Sequence, residues 1–338
     1  MSAMLVDRRR SVSSLLIVAA ILAATFYFLG RGADWSVLPQ AVAHARWQWL
    51  AAAVGCMVVF FGAQAVNNHW LLSALGYPVT LGQSVRYTLL DFYFSAITPC
   101  ASGGQPAQLY FMQKDGIAVG SASLAILLFN MTYHVAAVVL VGGAFLYRGG
   151  WIMAQLGAGG LLLLYGVIVH VALILLFAGA IFKPALLQKL LLTIIGGLGR
   201  TRLLKQPERA EQWVLEQIAQ YQQGAAYIRG HLGLLLRCQL LTIVHLLALF
   251  SVPFCIYCAL QAGALNWLEI SSLQAVLSAA VDTLPLPGGV GAAEGGFMLM
   301  YQAIFAAQVL PAMLLCRTVS YYGVVALSSL VAIASSRR

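Results

Sequence analysis

Apolar residues fall into long runs separated by short polar intervals, and these runs set the elements the chain is predicted to form. Six are long enough to cross the hydrocarbon core of a bilayer, which takes roughly 20 helical residues. They are Ser13 to Leu29, Trp49 to Val66, Ala118 to Tyr147, Leu156 to Phe182, Leu234 to Leu260 and Val309 to Ala334. Two further segments are interrupted. In 83–116 an apolar stretch from Tyr87 to Ile97 gives way to Thr98-Pro99-Cys100-Ala101-Ser102-Gly103-Gly104-Gln105-Pro106, then resumes from Ala107 to Met112. In 271–308 the interruption reads VDTLPLPGGVGAAEGGF from Val281 to Phe297, with two prolines, five glycines and two carboxylates in seventeen residues. Pro285 and Pro287 remove backbone donors and Gly288, Gly289 and Gly291 admit positive φ, so a helix must break there. Each arm is about half a crossing, and both segments are predicted to enter and leave on one side. Irregular backbone at membrane depth persists only where protein or a wet cavity satisfies it, which makes the two breaks the expected binding site. The expected fold is all-α: one polytopic membrane domain over 1–338, with six full spans and two re-entrant half-helix pairs.

The longest polar interval, 183–231, contains an amphipathic helix. From Pro207 to Tyr227 and just beyond, Ala210, Val214, Ile218, Tyr221, Ala225 and Ile228 recur three or four apart, with Pro207 in the first turn and Gly230 after the end. Its expected place is the cytoplasmic membrane surface or the flank of the spans. The interval 30–47 reads as a short loop edged by Trp35, Trp47 and Trp49, and Asn67, Asn68, His69 and Trp70 as the interfacial end of the second span. Counting crossings gives an internal symmetry: span, re-entrant pair and span recur in opposite orientation in the two halves. Asn130 with Tyr133 and His134 follows the first break at nearly the remove at which Arg317 with Tyr321 and Tyr322 follows the second. Inverted repeats with broken helices meeting near the midplane are an architecture of alternating-access transporters.

Composition agrees with the pattern: 61% of residues are hydrophobic, 9% are charged, and mean hydropathy is +0.87. Of 19 lysines and arginines, Arg8, Arg9, Arg10, Lys183, Lys189, Arg200, Arg202, Lys205, Arg209, Arg229, Arg337 and Arg338 cluster before the first span, in the amphipathic interval and at the end. The positive-inside rule makes those regions, and both termini, cytoplasmic, and the expected location is a bacterial inner membrane. No basic run has the interleaved aromatics of a nucleic-acid surface, and no nucleic-acid partner is expected. Ser13 to Leu29 reads as an uncleaved span rather than a signal peptide. The six cysteines sit almost wholly in apolar runs and imply no disulfide framework, and Cys255 and Cys258 read as packing residues.

Charges inside a membrane persist mainly where they face a cavity or one another. Asp91, Asp282, Glu294 and Arg317 are the four placed there. Arg317 either pairs with Glu294 or anchors an anionic head group through its planar fork, with the Gly288-Gly289 loop adding backbone N–H groups. Asp91 and Asp282 either cap a half-helix or carry a coupling proton. His134, His170 and His245 read as hydrogen-bonded packing residues rather than haem ligands, and no cofactor or metal is expected. GxSxG, P-loop and HExxH signatures are absent from the sequence.

The combination Leu284-Pro-Leu-Pro-Gly-Gly-Val-Gly-Ala-Ala-Glu294, the earlier Thr98-Pro99 with Gly103-Gly104-Gln105-Pro106, and Arg317 followed by Tyr321 and Tyr322 resembles the membrane domain of the lysylphosphatidylglycerol synthase/flippase family. The likeness runs from about Leu15 to Ala334. It implies movement of lipid between leaflets without the family's cytosolic aminoacyltransferase domain, hence a transporter rather than an enzyme. The family often carries a glutamate where Gln105 stands, which shifts a charge-based role to Glu294 and Arg317. The candidate substrate-binding set is Arg317, Glu294, Gly288, Gly289, Asp282, Gly103, Gly104, Gln105, Asn130 and Tyr321, with no catalytic residue assigned. The expected substrate is an anionic or modified phospholipid, or a polyprenyl-phosphate-linked lipid. A second class of function is an intramembrane enzyme or accessory subunit of head-group or glycosyl transfer, with Glu294 and Asp282 as general acid and base. Expected partners are the lipid, a second copy of the chain, and a glycosyltransferase or lipid synthase.

Overall fold

The computed structural model describes residues 37–98, 101–183, 185, 188–189, 192–195 and 207–336. The predicted span Ser13 to Leu29, the cations Arg8, Arg9, Arg10, Arg200, Arg202, Lys205, Arg337 and Arg338, and Pro99 and Cys100 of the first break lie outside them. Among the described residues every regular element is helical. Five apolar segments have the length and composition to cross a membrane: Trp47–Ala74, Val119–Leu156, Gly160–Phe182, Leu232–Ala259 and Ala292–Ser336.

The stretch read as a loop before the second span holds a seven-residue helix, α1 (Val37–Ala43), whose Pro39 sits in the first turn where its missing N–H is harmless. Helix α2 (Trp47–Ala74) runs well past the predicted end at Val66. Asn67 and Asn68 therefore lie inside a helix, buried, instead of at an interface. Each is tolerated there because it clasps a neighbour: Asn67 Nδ2 donates to Thr242 Oγ1 at 3.0 Å, and Asn68 Nδ2 to Thr88 Oγ1 at 3.1 Å. His69 Nδ1 meets Val79 O at 2.9 Å.

The first interrupted segment forms a hairpin of α3 (Leu81–Ile97) and α4 (Gly104–Lys114). A capping box between Thr80 and Gln83 starts α3. The break is shorter than predicted, since α4 begins at Gly104 and carries Pro106 in its first turn. Arg86 and Tyr87 both bond Asp115 across the open end of the hairpin. Helix α5 (Val119–Leu156) leaves helical geometry at Arg148 (φ −147°, ψ 47°), where the span was predicted to stop. Helix α6 (Gly160–Phe182) follows.

The amphipathic helix, α7 (Pro207–Arg229), buries Ile218, Tyr221, Ala225 and Ile228. It packs on α5, where the Gly120 N–H donates to Gln217 Oε1 at 3.1 Å. Helix α8 (Leu232–Ala259) lies antiparallel to α2, with Arg46 N bonded to Ala259 O at one end and Asn67 to Thr242 at the other.

The second interrupted segment is also a hairpin, of α9 (Trp267–Val281) and α10 (Ala292–Phe305). Its arms lie side by side, with Tyr301 Oη donating to Ile270 O at 3.2 Å. The apolar stretch Ala292–Ser336 is not one crossing. A continuous helix would hold Glu294 and Arg317 about 35 Å apart, yet Arg317 Nε and Glu294 Oε1 stand at 2.7 Å. The chain reverses at Ala306 (φ 48°) through the short 3₁₀ turn Ala306–Gln308, next to the predicted boundary. Helix α11 (Val309–Arg317) then continues through a π-helical turn, Thr318–Tyr322, into α12 (Gly323–Ser336).

Helix α2 spans about 42 Å at 1.5 Å per residue, so its two ends define opposite ends of the bundle. The open end of the first hairpin follows Ala74, while that of the second follows Ala259, beside Arg46. The hairpins thus enter from opposite ends, and their tips meet: Ala96 of α3 packs with Val290 and Tyr321, and Tyr321 Oη donates to Ala96 O at 3.2 Å.

Candidate functional site

Around the meeting tips lies a cavity of about 520 Å³. Its polar wall gathers Gln64 from α2, Asp91 and Ser95 from α3, Gln105 from α4, Asn130, Tyr133 and His134 from α5, His170 from α6 and Asp282 and Thr283 after α9. Phe60, Phe92 and Asp282 also wall a second chamber of about 200 Å³ that Arg317 lines. Among the described residues no lysine or arginine lines the larger chamber. The larger chamber carries the carboxylates of Asp91 and Asp282, and in the smaller one Asp282 shares the wall with Arg317.

Both aspartates are held by neutral donors. Gln64 Nε2 donates to Asp91 Oδ2 at 3.2 Å, and Tyr133 Oη donates to Asp282 Oδ2 at 2.9 Å. Asp91 lies in mid-helix and caps nothing, whereas Asp282 stands at the C-cap of α9 with its carboxylate turned to Tyr133. Gly104 is where α4 meets α3: a Cβ there would run into Ser95 Oγ and the Asp91 carbonyl, so the two arms can close this tightly only on glycine. The Gly103 N–H donates to Thr98 Oγ1 at 2.8 Å, closing the turn. Gln105 Nε2 donates to Asn130 Oδ1 at 2.9 Å, and Asn130 Nδ2 to Ile126 O at 2.7 Å.

At the other tip, Glu294 is 0% exposed and has both oxygens engaged. Oε1 accepts from Arg317 Nε at 2.7 Å and from Tyr322 Oη at 3.1 Å; Oε2 accepts the Gly291 N–H at 2.7 Å. Arg317 Nη2 also donates to Gly288 O at 3.4 Å, and its guanidinium lies 4.2 Å from the centre of the Tyr321 ring. Gly288 adopts φ +57° directly against that ring, a conformation and a clearance that a side chain would deny. Of the loop amides expected to face an anion, the Gly289 N–H donates to Leu286 O at 3.2 Å and the Gly291 N–H to Glu294.

The predicted residues therefore form two groups. Arg317, Glu294, Gly288, Gly289 and Tyr321 build the second tip; Gly103, Gly104, Gln105 and Asn130 build the first; and Asp282 stands in the wall common to both chambers. Each hairpin's second arm reaches the following helix through one polar pair near its first turn, Gln105 to Asn130 and Glu294 to Arg317. Sequence reasoning missed Gln64 and Thr283, although a lone amide in the run Trp49 to Val66 was a visible signal. Of the histidines, His134 and His170 bond each other through Nδ1 at 2.7 Å, and His245 Nδ1 meets Phe60 O at 2.7 Å. Among the described residues no group of three or more histidine, cysteine or carboxylate side chains converges as a metal site would need.

Two relatives share parts of this chain. A UPF0104 membrane protein from Archaeoglobus fulgidus is 26% identical over 113 residues, 33% of this chain and 33% of its own length. An uncharacterized protein from Mycoplasma pneumoniae, described as a homologue of MG306, is 22% identical over 130 residues, 38% of this chain and 33% of its own. The chain thus spans about a third of the length of the curated relatives it matches. The family model described as the lysylphosphatidylglycerol synthase TM region matches residues 12–328, which takes in both hairpins and every helix that lines the two chambers. The chain belongs to the lysylphosphatidylglycerol synthase transmembrane-region family.

Proposed function

We propose that this chain is a lipid flippase or scramblase whose two hairpins are re-entrant and related as an inverted repeat. One observation carries the reading: two half-length helical hairpins enter from opposite ends of an apolar bundle and meet at a polar cavity. Broken helices and buried carboxylates are costly in lipid and are retained where they line a path. In this reading the head group crosses through the two chambers while its apolar chains stay in the bilayer. An anionic or aminoacylated phospholipid, or a polyprenyl-phosphate-linked lipid, suits these charges: phosphate toward Arg317 in competition with Glu294, ammonium or hydroxyl groups toward Asp91 and Asp282.

Charge orients the molecule. Arg86, Lys114, Lys183, Lys189, Arg209, Arg229 and Arg237 belong to the end of the bundle where α2 finishes, against Arg46 and Arg148 at the other. That end is cytoplasmic by the positive-inside rule, so the first hairpin enters from the cytoplasm. A general-acid role for Glu294 finds no support, since both its oxygens are engaged by its own chain. The test is leaflet exchange in proteoliposomes with labelled anionic and aminoacylated lipids. Exchange that depends on the protein and slows in Asp282→Asn is expected; no protein-dependent exchange of either lipid overturns the proposal.

A further inference from the structure

The histidine pair at the edge of the larger chamber is used by nothing described so far. His134 of α5 and His170 of α6 both line the cavity and approach through Nδ1 at 2.7 Å. A contact of that length between two imidazole nitrogens needs one proton between them: one ring donates at Nδ1 and the other accepts there. The donating ring then keeps a lone pair on its outer nitrogen, Nε2. A proton from cavity water adds at that lone pair, gives an imidazolium and leaves the Nδ1 bond intact and charge-assisted. A second proton would set two N–H groups head to head, so the pair accepts one charge and no more. His170 is 1% exposed, and its Nε2 has no hydrogen-bond partner among the described residues. That buried, unpartnered nitrogen is the second sign of a ligand still to be accommodated.

The groups facing the pair come from every element around the chamber. They are Asp91 of α3, Tyr133 of α5, Tyr165 of α6, His245 of α8 and Asp282 after α9, while α2 and α4 contribute the neutral amides Gln64 and Gln105. Tyr133 joins the two systems, donating to Asp282 and setting its ring edge-on to His134, 5.5 Å between centres. One added proton therefore places a single positive charge in a chamber that otherwise holds two carboxylates.

We infer that His134 and His170 form a one-proton site, and that this proton is the coupling ion of the transport proposed above. The coupling rests on that reading; the proton site does not. Histidine-selective nitrogen NMR of the full chain in nanodiscs, titrated from about pH 8 to about pH 4 around the ordinary imidazole range, reads the site directly. Spectra of H134N and H170N assign the signals, because asparagine sets an amide atom near the place of Nδ1. The pair should take up one proton in total; two independent protons, or none, overturn the site. In proteoliposomes the wild-type exchange rate should differ with and without an imposed pH gradient, and in H134N and H170N, each compared with its own rate without a gradient, that ratio should fall to one. An unchanged ratio in either variant overturns the coupling. A protein that moves no lipid at all overturns the transport reading and the coupling with it, while the proton count is read without transport.

Discussion

The most constrained residue is Glu294. It sits fully buried, capping its own helix through Gly291 while receiving Arg317 and Tyr322. Removing one partner of a buried ion pair leaves the other charge uncompensated, at a cost of about 3–5 kcal/mol, whereas replacing both with apolar groups costs far less. Arg317→Met and Glu294→Leu should each lower the thermal midpoint of the purified protein sharply, and the double variant should lie well above the sum of the two losses. Additive losses would mean that the two charges do not stabilise each other. That these charges meet was legible in the sequence, because two opposite charges in apolar runs have few other partners. The role of the second carboxylate oxygen was not, since it depends on the φ +89° turn at Gly291. The Asn67 and Asn68 clasps were equally hidden: their partners, Thr242 and Thr88, are chosen by packing between helices distant in sequence.

At the scale of elements, the half-length arms were readable because proline and glycine at the breaks deny a continuous helix. Chain reversal at Ala306 was readable only through length, as Ala306-Ala307-Gln308 holds no breaker, and the contact of Arg317 with Glu294 is what establishes it. The closeness of α3 and α4 hangs on Gly104. Gly104→Ala pushes a methyl against Ser95 Oγ and the Asp91 carbonyl, and overpacking of this kind costs about 1–3 kcal/mol. A reduced unfolding midpoint is expected, with slower lipid exchange as the hairpin parts; an unchanged midpoint would show that the arms have room to spare. The amphipathic helix gives the opposite prediction. Tyr221 is buried on its inner face, among the described residues its hydroxyl has no hydrogen-bond partner, and burial pushes its phenol up to about 12. A folded-state value above the ordinary one near 10 means that this tyrosine destabilises the fold as pH rises past about 10. Tyr221→Phe relieves an unsatisfied buried group, so it should leave stability at neutral pH equal or higher by about 1 kcal/mol and blunt the alkaline loss. A lower midpoint in neutral buffer would contradict that account of α7.

The whole molecule is organised by two hairpins of opposite entry sharing one polar cavity. Hydropathy and breakers made the class and the number of interruptions legible, since both depend on local composition. Where the tips meet, and that Gln105 reaches Asn130 and Glu294 reaches Arg317, required contacts between residues far apart in the chain. Whether a head group enters this cavity is read by a phospholipid carrying a photoreactive group on its head, activated in nanodiscs and mapped by mass spectrometry. Adducts are expected on cavity residues such as Ser95, Asn130 and Thr283. Adducts confined to the exposed outer face of α6, at Leu161, Leu164 and Ile168, would contradict it.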